Sequence, residues 1–201
     1  VDINAAVSTT SVNDVGSDAF FGIGTGEGQS NLAQTDDANV AVSILARGNV
    51  TFDATAGTLT ANTGGLENIE LISETGGIAL GVVTVGATSG TLYLEATNAA
   101  ADAITDNTTA ETPNVIGVNL IADAGTGIGS GGAGTTTDID TNVANLAART
   151  EAGDINIRNI ADLTITSDAG VTGVSIVDGA APNDQGADIT VIATGLLTVN
   201  S

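Results

Sequence analysis

Apolar and polar residues alternate along this chain in short bursts: Val50-Thr51-Phe52, Ile69-Glu70-Leu71, Ile78-Ala79-Leu80, Val83-Thr84-Val85, Leu92-Tyr93-Leu94, Val118-Asn119-Leu120, Ile155-Asn156-Ile157, Leu163-Thr164-Ile165, Val174-Ser175-Ile176, Ile189-Thr190-Val191 and Leu197-Thr198-Val199. A period of two places alternate side chains on one face, so each burst predicts a β-strand with one side buried. Adjacent bursts mostly lie about eight to eleven residues apart, with Gly, Asn, Asp or Thr between them, which is the spacing of an all-β chain. The best helical candidate, residues 139–148, sets Ile139, Val143 and Leu146 at helical spacing but is short and lies among glycines.

The bursts also recur as a larger unit. Asp154-Ile155-Asn156-Ile157 leads to Leu163-Thr164-Ile165, and Asp188-Ile189-Thr190-Val191 leads to Leu197-Thr198-Val199 at the same internal spacing. A looser copy runs from Asn49-Val50-Thr51-Phe52 to Leu59. Such a unit cannot bury its apolar side alone, so copies must stack. Residues 22–39, 99–114 and 125–137 break the rhythm and predict loops, which in stacked arrays protrude where binding surfaces lie. Reading Leu197-Thr198-Val199-Asn200-Ser201 into Val1-Asp2-Ile3-Asn4 continues the same texture. We therefore expect residues 1–201 to form one all-β domain, either a segment of a longer repeat protein or one subunit of a fibre that associates end to end.

Composition narrows the fold. Tyr93, Phe20, Phe21 and Phe52 are the only aromatic residues, and Trp, Met, Cys and His are absent. The core must be aliphatic, which suits thin, regularly layered coils better than a sandwich built around large rings. Net charge is -21, with Arg47, Arg149 and Arg158 the only cations. That balance excludes phosphate-neutralising nucleic-acid binding and opposes an anionic membrane surface. No apolar run approaches the roughly 18 residues of a membrane span.

From Ile128-Gly129 the chain continues through Ile139-Asp140-Thr141-Asn142-Val143-Ala144-Asn145-Leu146-Ala147-Ala148-Arg149-Thr150, then Gly153-Asp154-Ile155-Asn156-Ile157-Arg158-Asn159 and Leu163-Thr164-Ile165. This stretch resembles the repeat texture of giant bacterial filamentous-haemagglutinin-like and autotransporter-like adhesins. It covers about a quarter of the chain, within residues 118–165; Ile139 stands where Leu is commoner, and no secretion domain is identifiable. The resemblance implies a right-handed parallel β-helix displayed outside the cell, with adhesion or biofilm scaffolding as its work. The competing fold is an antiparallel β-sandwich or jelly roll. Coils of about twenty residues stacked about 4.8 Å apart would number roughly ten, and Asn repeated at their turns would form hydrogen-bonded ladders.

Chemistry is sparse. Without His, Cys or Lys there is no His-based triad, thiol nucleophile, Schiff base or P-loop. The glycine runs at Gly22-x-Gly24-x-Gly26-x-Gly28 and Gly125-x-Gly127-x-Gly129 lack a following helix and read as loops rather than phosphate cradles. Calcium is the one cofactor the acidic positions suggest, through Asp138 and Asp140, Asp36 and Asp37, or Asp102 and Asp106. None of these fits an EF-hand or a nonapeptide calcium array. The expected function is an extracellular structural or adhesive protein of the cell surface, not an enzyme, with surface glycans or matrix components as further partners. The alternatives are a calcium-binding adhesin module of the sandwich type and a β-helix polysaccharide-degrading enzyme using an acidic pair.

Overall fold

The computed structural model describes residues 1–3, 6–8, 19–20, 40–61, 68–97, 102–130, 137–177 and 187–200. Every regular element among them is a β-strand, and all pairings but one are parallel. The chain is a parallel β-helix of about 5 turns. The sandwich alternative required antiparallel neighbours and is set aside.

In its earlier turns each coil carries three strands. One face is a nine-stranded sheet in which Ala19–Phe20, Val40–Ala46, Asn68–Ser73, Thr91–Ala96, Asn119–Ala124 and Asn145–Thr150 lie side by side, followed by the strands of the last turns. The other two faces belong to one twelve-stranded sheet. Its first row runs through Asp2–Ile3, Val50–Phe52, Ile78–Leu80, Ala103–Asp106 and Gly127–Ile128, and its second through Ala6–Ser8, Thr58–Thr60, Val82–Thr84, Val115–Ile116 and Ile139–Asn142. Both rows end against Ile155–Asn159, on which Ile189–Ala193 is laid along its whole length.

The alternation seen in sequence becomes vertical columns of like residues. Val50, Ile78, Ile104, Ile128, Ile155 and Ile189 stack in register on one face, and Val42, Ile69, Leu92, Leu120, Leu146, Ile165 and Val199 on another. All but the last of each column are buried, and a fully buried aliphatic side chain contributes about 1.5–3 kcal/mol. The repeat seen in sequence is realised directly, with Ile155 over Ile189, Ile157 over Val191, Leu163 over Leu197 and Ile165 over Val199.

Corners are built from Asn and Asp. In five places an Asx residue at or just before the start of a strand accepts the backbone N–H of its column neighbour one coil on: Asn49 from Gly77 (3.0 Å), Asn68 from Thr91 (2.7 Å), Asn114 from Asp140 (2.9 Å), Asp154 from Asp188 (2.9 Å) and Asp162 from Leu196 (2.7 Å). The expected side-chain ladder is present as well, since Asn145 Nδ2 donates to Asn119 Oδ1 (2.8 Å) and Asn119 Nδ2 to Thr91 Oγ1 (3.2 Å). Each bond crosses between coils, where it fixes register.

Several expectations are corrected. Corner bonds span 23 to 34 residues, so coils are longer and fewer than the expected ten, because bends and a third strand add length to each turn. Ala103–Asp106 and Gly127–Ile128 are strands inside stretches taken for loops; short strands of mixed composition leave little alternation to detect. The weak helical candidate is two strands, Ile139–Asn142 and Asn145–Thr150.

One insertion was not foreseen. Leu163–Ile165 and Val174–Ile176 both stack on Asn145–Thr150, and between them Ser167–Asp168 and Val171–Thr172 form an antiparallel hairpin. Its two turn residues, Ala169 and Gly170, both have positive φ (45° and 83°), the mark of a tight hairpin turn. Val171 is thereby buried outside the coil, in a small cluster with Ile72, Tyr93, Ile121 and Ala147.

Candidate functional site

Three features outside the core carry chemistry. The first is acidic. Asp138 and Asp140 meet Glu111, which lies one coil earlier, and ligating oxygens of all three lie within 4.8 Å of one another. Asp138 and Asp140 are buried and Glu111 is exposed. Arg158 enters the same group: its Nε donates to Asp140 Oδ1 (2.7 Å), its Nη2 to Asp140 Oδ2 (3.2 Å), and Nη2 lies 3.2 Å from Glu111 Oε2. These bonds and the surrounding carboxylates raise the Arg158 pKa above its ordinary value. The guanidinium thus offsets part of the carboxylate charge of this group.

The other calcium candidates do not converge. Asp102 and Asp106 flank opposite ends of one short strand, and no set of three ligating side chains includes either among the described residues. Asp102 is buried, with no hydrogen bond to either carboxylate oxygen. Asp106 Oδ1 instead accepts from Thr108 N (2.7 Å) and Asn114 Nδ2 (2.6 Å), locking a corner. Asp36 and Asp37 lie outside the described residues.

The second feature is a shallow open groove whose walls include Asp53, Thr55, Thr58, Thr108, Thr109 and Thr112. Asp53 organises its rim by accepting from Thr55 N (2.9 Å), Thr55 Oγ1 (2.9 Å) and Ala56 N (2.8 Å). The Thr55 amide bond, then the hydroxyl and the Ala56 amide, hold the Asp53 carboxyl below its ordinary value of 3.8. Threonine hydroxyls and one carboxylate, set among Ala54, Gly57, Gly81, Val82 and Ala110, give a wall of mixed polar and apolar character.

The third feature is the open edge of the last coil. Among the described residues, Ile189–Ala193 pairs only with Ile155–Asn159, and Leu197–Val199 only with Leu163–Ile165. Large apolar side chains are exposed along these strands, with Ile189 at 47%, Leu197 at 43%, Val199 at 70% and the adjoining Leu196 at 68%. Ile155 N donates to Asp188 O (2.9 Å) and Thr194 N to Asn159 O (2.9 Å). Alternation along a parallel strand then leaves the amides and carbonyls of Ile189 and Val191 pointing off the stack.

Reasoning from sequence found Asp138 and Asp140 but missed Glu111 and Arg158. For Glu111 the signal was the coil period, whereas Arg158 lies only 18 residues after Asp140, a spacing that period does not give. The separation of 26 residues that joins Asn114 to Asp140 also joins Asp123 to Arg149, where the guanidinium Nε donates to Asp123 Oδ1 (3.0 Å). Compared with protein-family models, curated proteins and solved structures, the chain matches none. Among the described residues no helix is long and apolar enough to cross a membrane.

Proposed function

We propose that this chain is an extracellular structural or adhesive element, a β-helical rod within a surface fibre or matrix. The observation that carries this reading is the regular parallel stack, in which an aliphatic column through Val50, Ile78, Ile104, Ile128 and Ile155 continues in register from coil to coil.

The acidic surface supports the same reading, since a net charge of -21 keeps such a body soluble while screening at physiological salt shortens repulsion to about 8 Å. The threonine-walled groove offers a contact surface for glycans or other polar matrix components. Antibody raised against the chain is expected to label intact producing cells, and beads coated with it are expected to bind cell-surface material without cleaving it. Label confined to permeabilised cells, or reproducible polysaccharide cleavage abolished by changing one acidic pair, would refute the proposal.

A further inference from the structure

Four side chains at the acidic group sit as two facing pairs on the outside of the coil stack. Asp140 lies opposite Arg158 where Ile139–Asn142 pairs with Ile155–Asn159. One pair back along the strands, Asp138 precedes Ile139, whose partner is Ile157, and so stands beside Asn156. Gly129 marks the same closeness: a Cβ there would strike the Asn156 carbonyl oxygen and lie 3.2 Å from the Asp138 Cα. Ile155 and Ile157 belong to the core, so by alternation Asn156 and Arg158 leave on the outer face, as Asp138 and Asp140 do on either side of the core residue Ile139. Glu111 reaches the same patch from the corner between Ala103–Asp106 and Val115–Ile116, bringing its oxygen within 4.8 Å of those of both aspartates.

Although it leaves on the outer face, Asn156 is only 2% exposed, and its Nδ2 has no hydrogen-bond partner. A buried amide left unpaired costs stability unless a bound group satisfies it. A half turn of the amide exchanges Nδ2 and Oδ1, so the same side chain can offer an oxygen beside Asp138. With all three carboxylates ionised, the single Arg158 guanidinium leaves two negative charges unmatched, and two of the carboxylates are buried. Crowded carboxylate oxygens, a buried amide with no partner and two surplus charges complement one hard divalent cation.

We propose that Glu111, Asp138, Asp140 and the amide oxygen of Asn156 hold one calcium ion, with water completing its shell on the exposed Glu111 side. Calcium suits the site better than magnesium, because it accepts oxygens in irregular arrangements whereas magnesium demands a near-ideal octahedron and gives up its water reluctantly. Arg158 leaves room for the ion: its two bonds to Asp140 orient that carboxylate and lower the repulsion among the three before calcium arrives. Because the ligands come from successive coils, the ion ties the corner of one coil to the strands of those that follow.

Calcium chloride is titrated into the purified chain by calorimetry, and thermal melts compare calcium with chelator. The expected result is one saturable site per chain with a Kd of about 0.1–1 mM and a melting temperature that rises with calcium by mass action. Glu111→Gln should weaken binding about tenfold while changing the melt in chelator little, since it loses only a part-exposed ion pair. Asn156→Asp separates an ion from a trapped water. A fourth carboxylate facing the ion lowers the melt in chelator and tightens calcium binding about tenfold, whereas an amide bridged by water alone gives no tightening. Glu151→Gln removes an exposed carboxylate elsewhere; it controls for diffuse attraction of cations to an acidic chain and should leave the site intact. No saturable binding, binding weakened equally by Glu111→Gln and Glu151→Gln, or an Asn156→Asp variant that binds no tighter would each overturn the proposal. If Asn156→Asp does not fold, the comparison of Glu111→Gln with Glu151→Gln still decides. Labelling of intact cells does not depend on this site, so its loss alone leaves the surface role standing.

Discussion

Asn159 offers the sharpest test of how the coil corners are held. It is fully buried, and its Oδ1 accepts from Thr141 Oγ1 (2.8 Å) and Val143 N (3.0 Å), while its Nδ2 donates to the carbonyls of Val143 (3.1 Å), Ala161 (3.1 Å) and Asp162 (3.2 Å). Asn159→Leu keeps the bulk and removes every one of these bonds. The Ala161 and Asp162 carbonyls reach solvent and can be rehydrated. Val143 is buried, so both its amide and its carbonyl lose their Asn159 partner; at about 1–3 kcal/mol for each unsatisfied group, with the lost packing, the cost is about 3–5 kcal/mol. Asn145→Ala, which removes a single part-buried bond to Asn119, serves as control and should cost about 1 kcal/mol. Urea unfolding is followed by far-ultraviolet circular dichroism and by the single tyrosine, Tyr93. With a slope of about 2 kcal/mol per molar urea, Asn159→Leu should lower the midpoint by about 2 M and Asn145→Ala by about 0.5 M. Equal, small shifts in the two variants would show that the corner does not depend on this side chain.

Three further outcomes follow from the same geometry. Arg149→Met strands the buried Asp123 carboxylate and should cost about 2–4 kcal/mol in urea unfolding, less than a fully buried pair because the guanidinium is part-exposed; adding Asp123→Leu should recover much of it. Ala169→Gly relieves a positive φ in a residue that has a Cβ and should stabilise by about 0.5–1 kcal/mol, whereas Gly153→Ala, at φ 79° and facing the Thr126 carbonyl, should destabilise by more than about 2 kcal/mol; thermal melts compare the two. Because its folded pKa is depressed, Asp53 contributes stability that is fully present above the ordinary value of 3.8 and is lost as pH falls through the lowered one, so the melting difference between the parent and Asp53→Asn should vanish in strong acid.

How far the fold could be read beforehand depended on what each residue contacts. The columns were legible because Ile155, Ile157, Leu163 and Ile165 recur as Ile189, Val191, Leu197 and Val199 under a single facing constraint. Coil length was not, because it depends on bends such as residues 53–57 and on strands such as Gly127–Ile128, whose composition carries no period. The hairpin after Ile165 was hidden because Ala169 adopts a conformation that usually announces itself through Gly or Asn. At the acidic group, Asp138 and Asp140 were visible as neighbours in sequence. Glu111 and Arg158 were not, since only the stacking of coils brings them together, and Arg158 adds an ion pair to the acidic group.

The parallel stacking also determines how this body would yield under tension. Its inter-coil hydrogen bonds run along the rod, so a pull from end to end stretches them interface by interface, beginning at whichever terminal coil is least packed. A coil of 26 residues released at about 3.3–3.6 Å per residue lets out about 85–95 Å of slack. A rod of this construction would lengthen under load in a staircase of coil-sized steps, absorbing work at each, rather than part at one threshold.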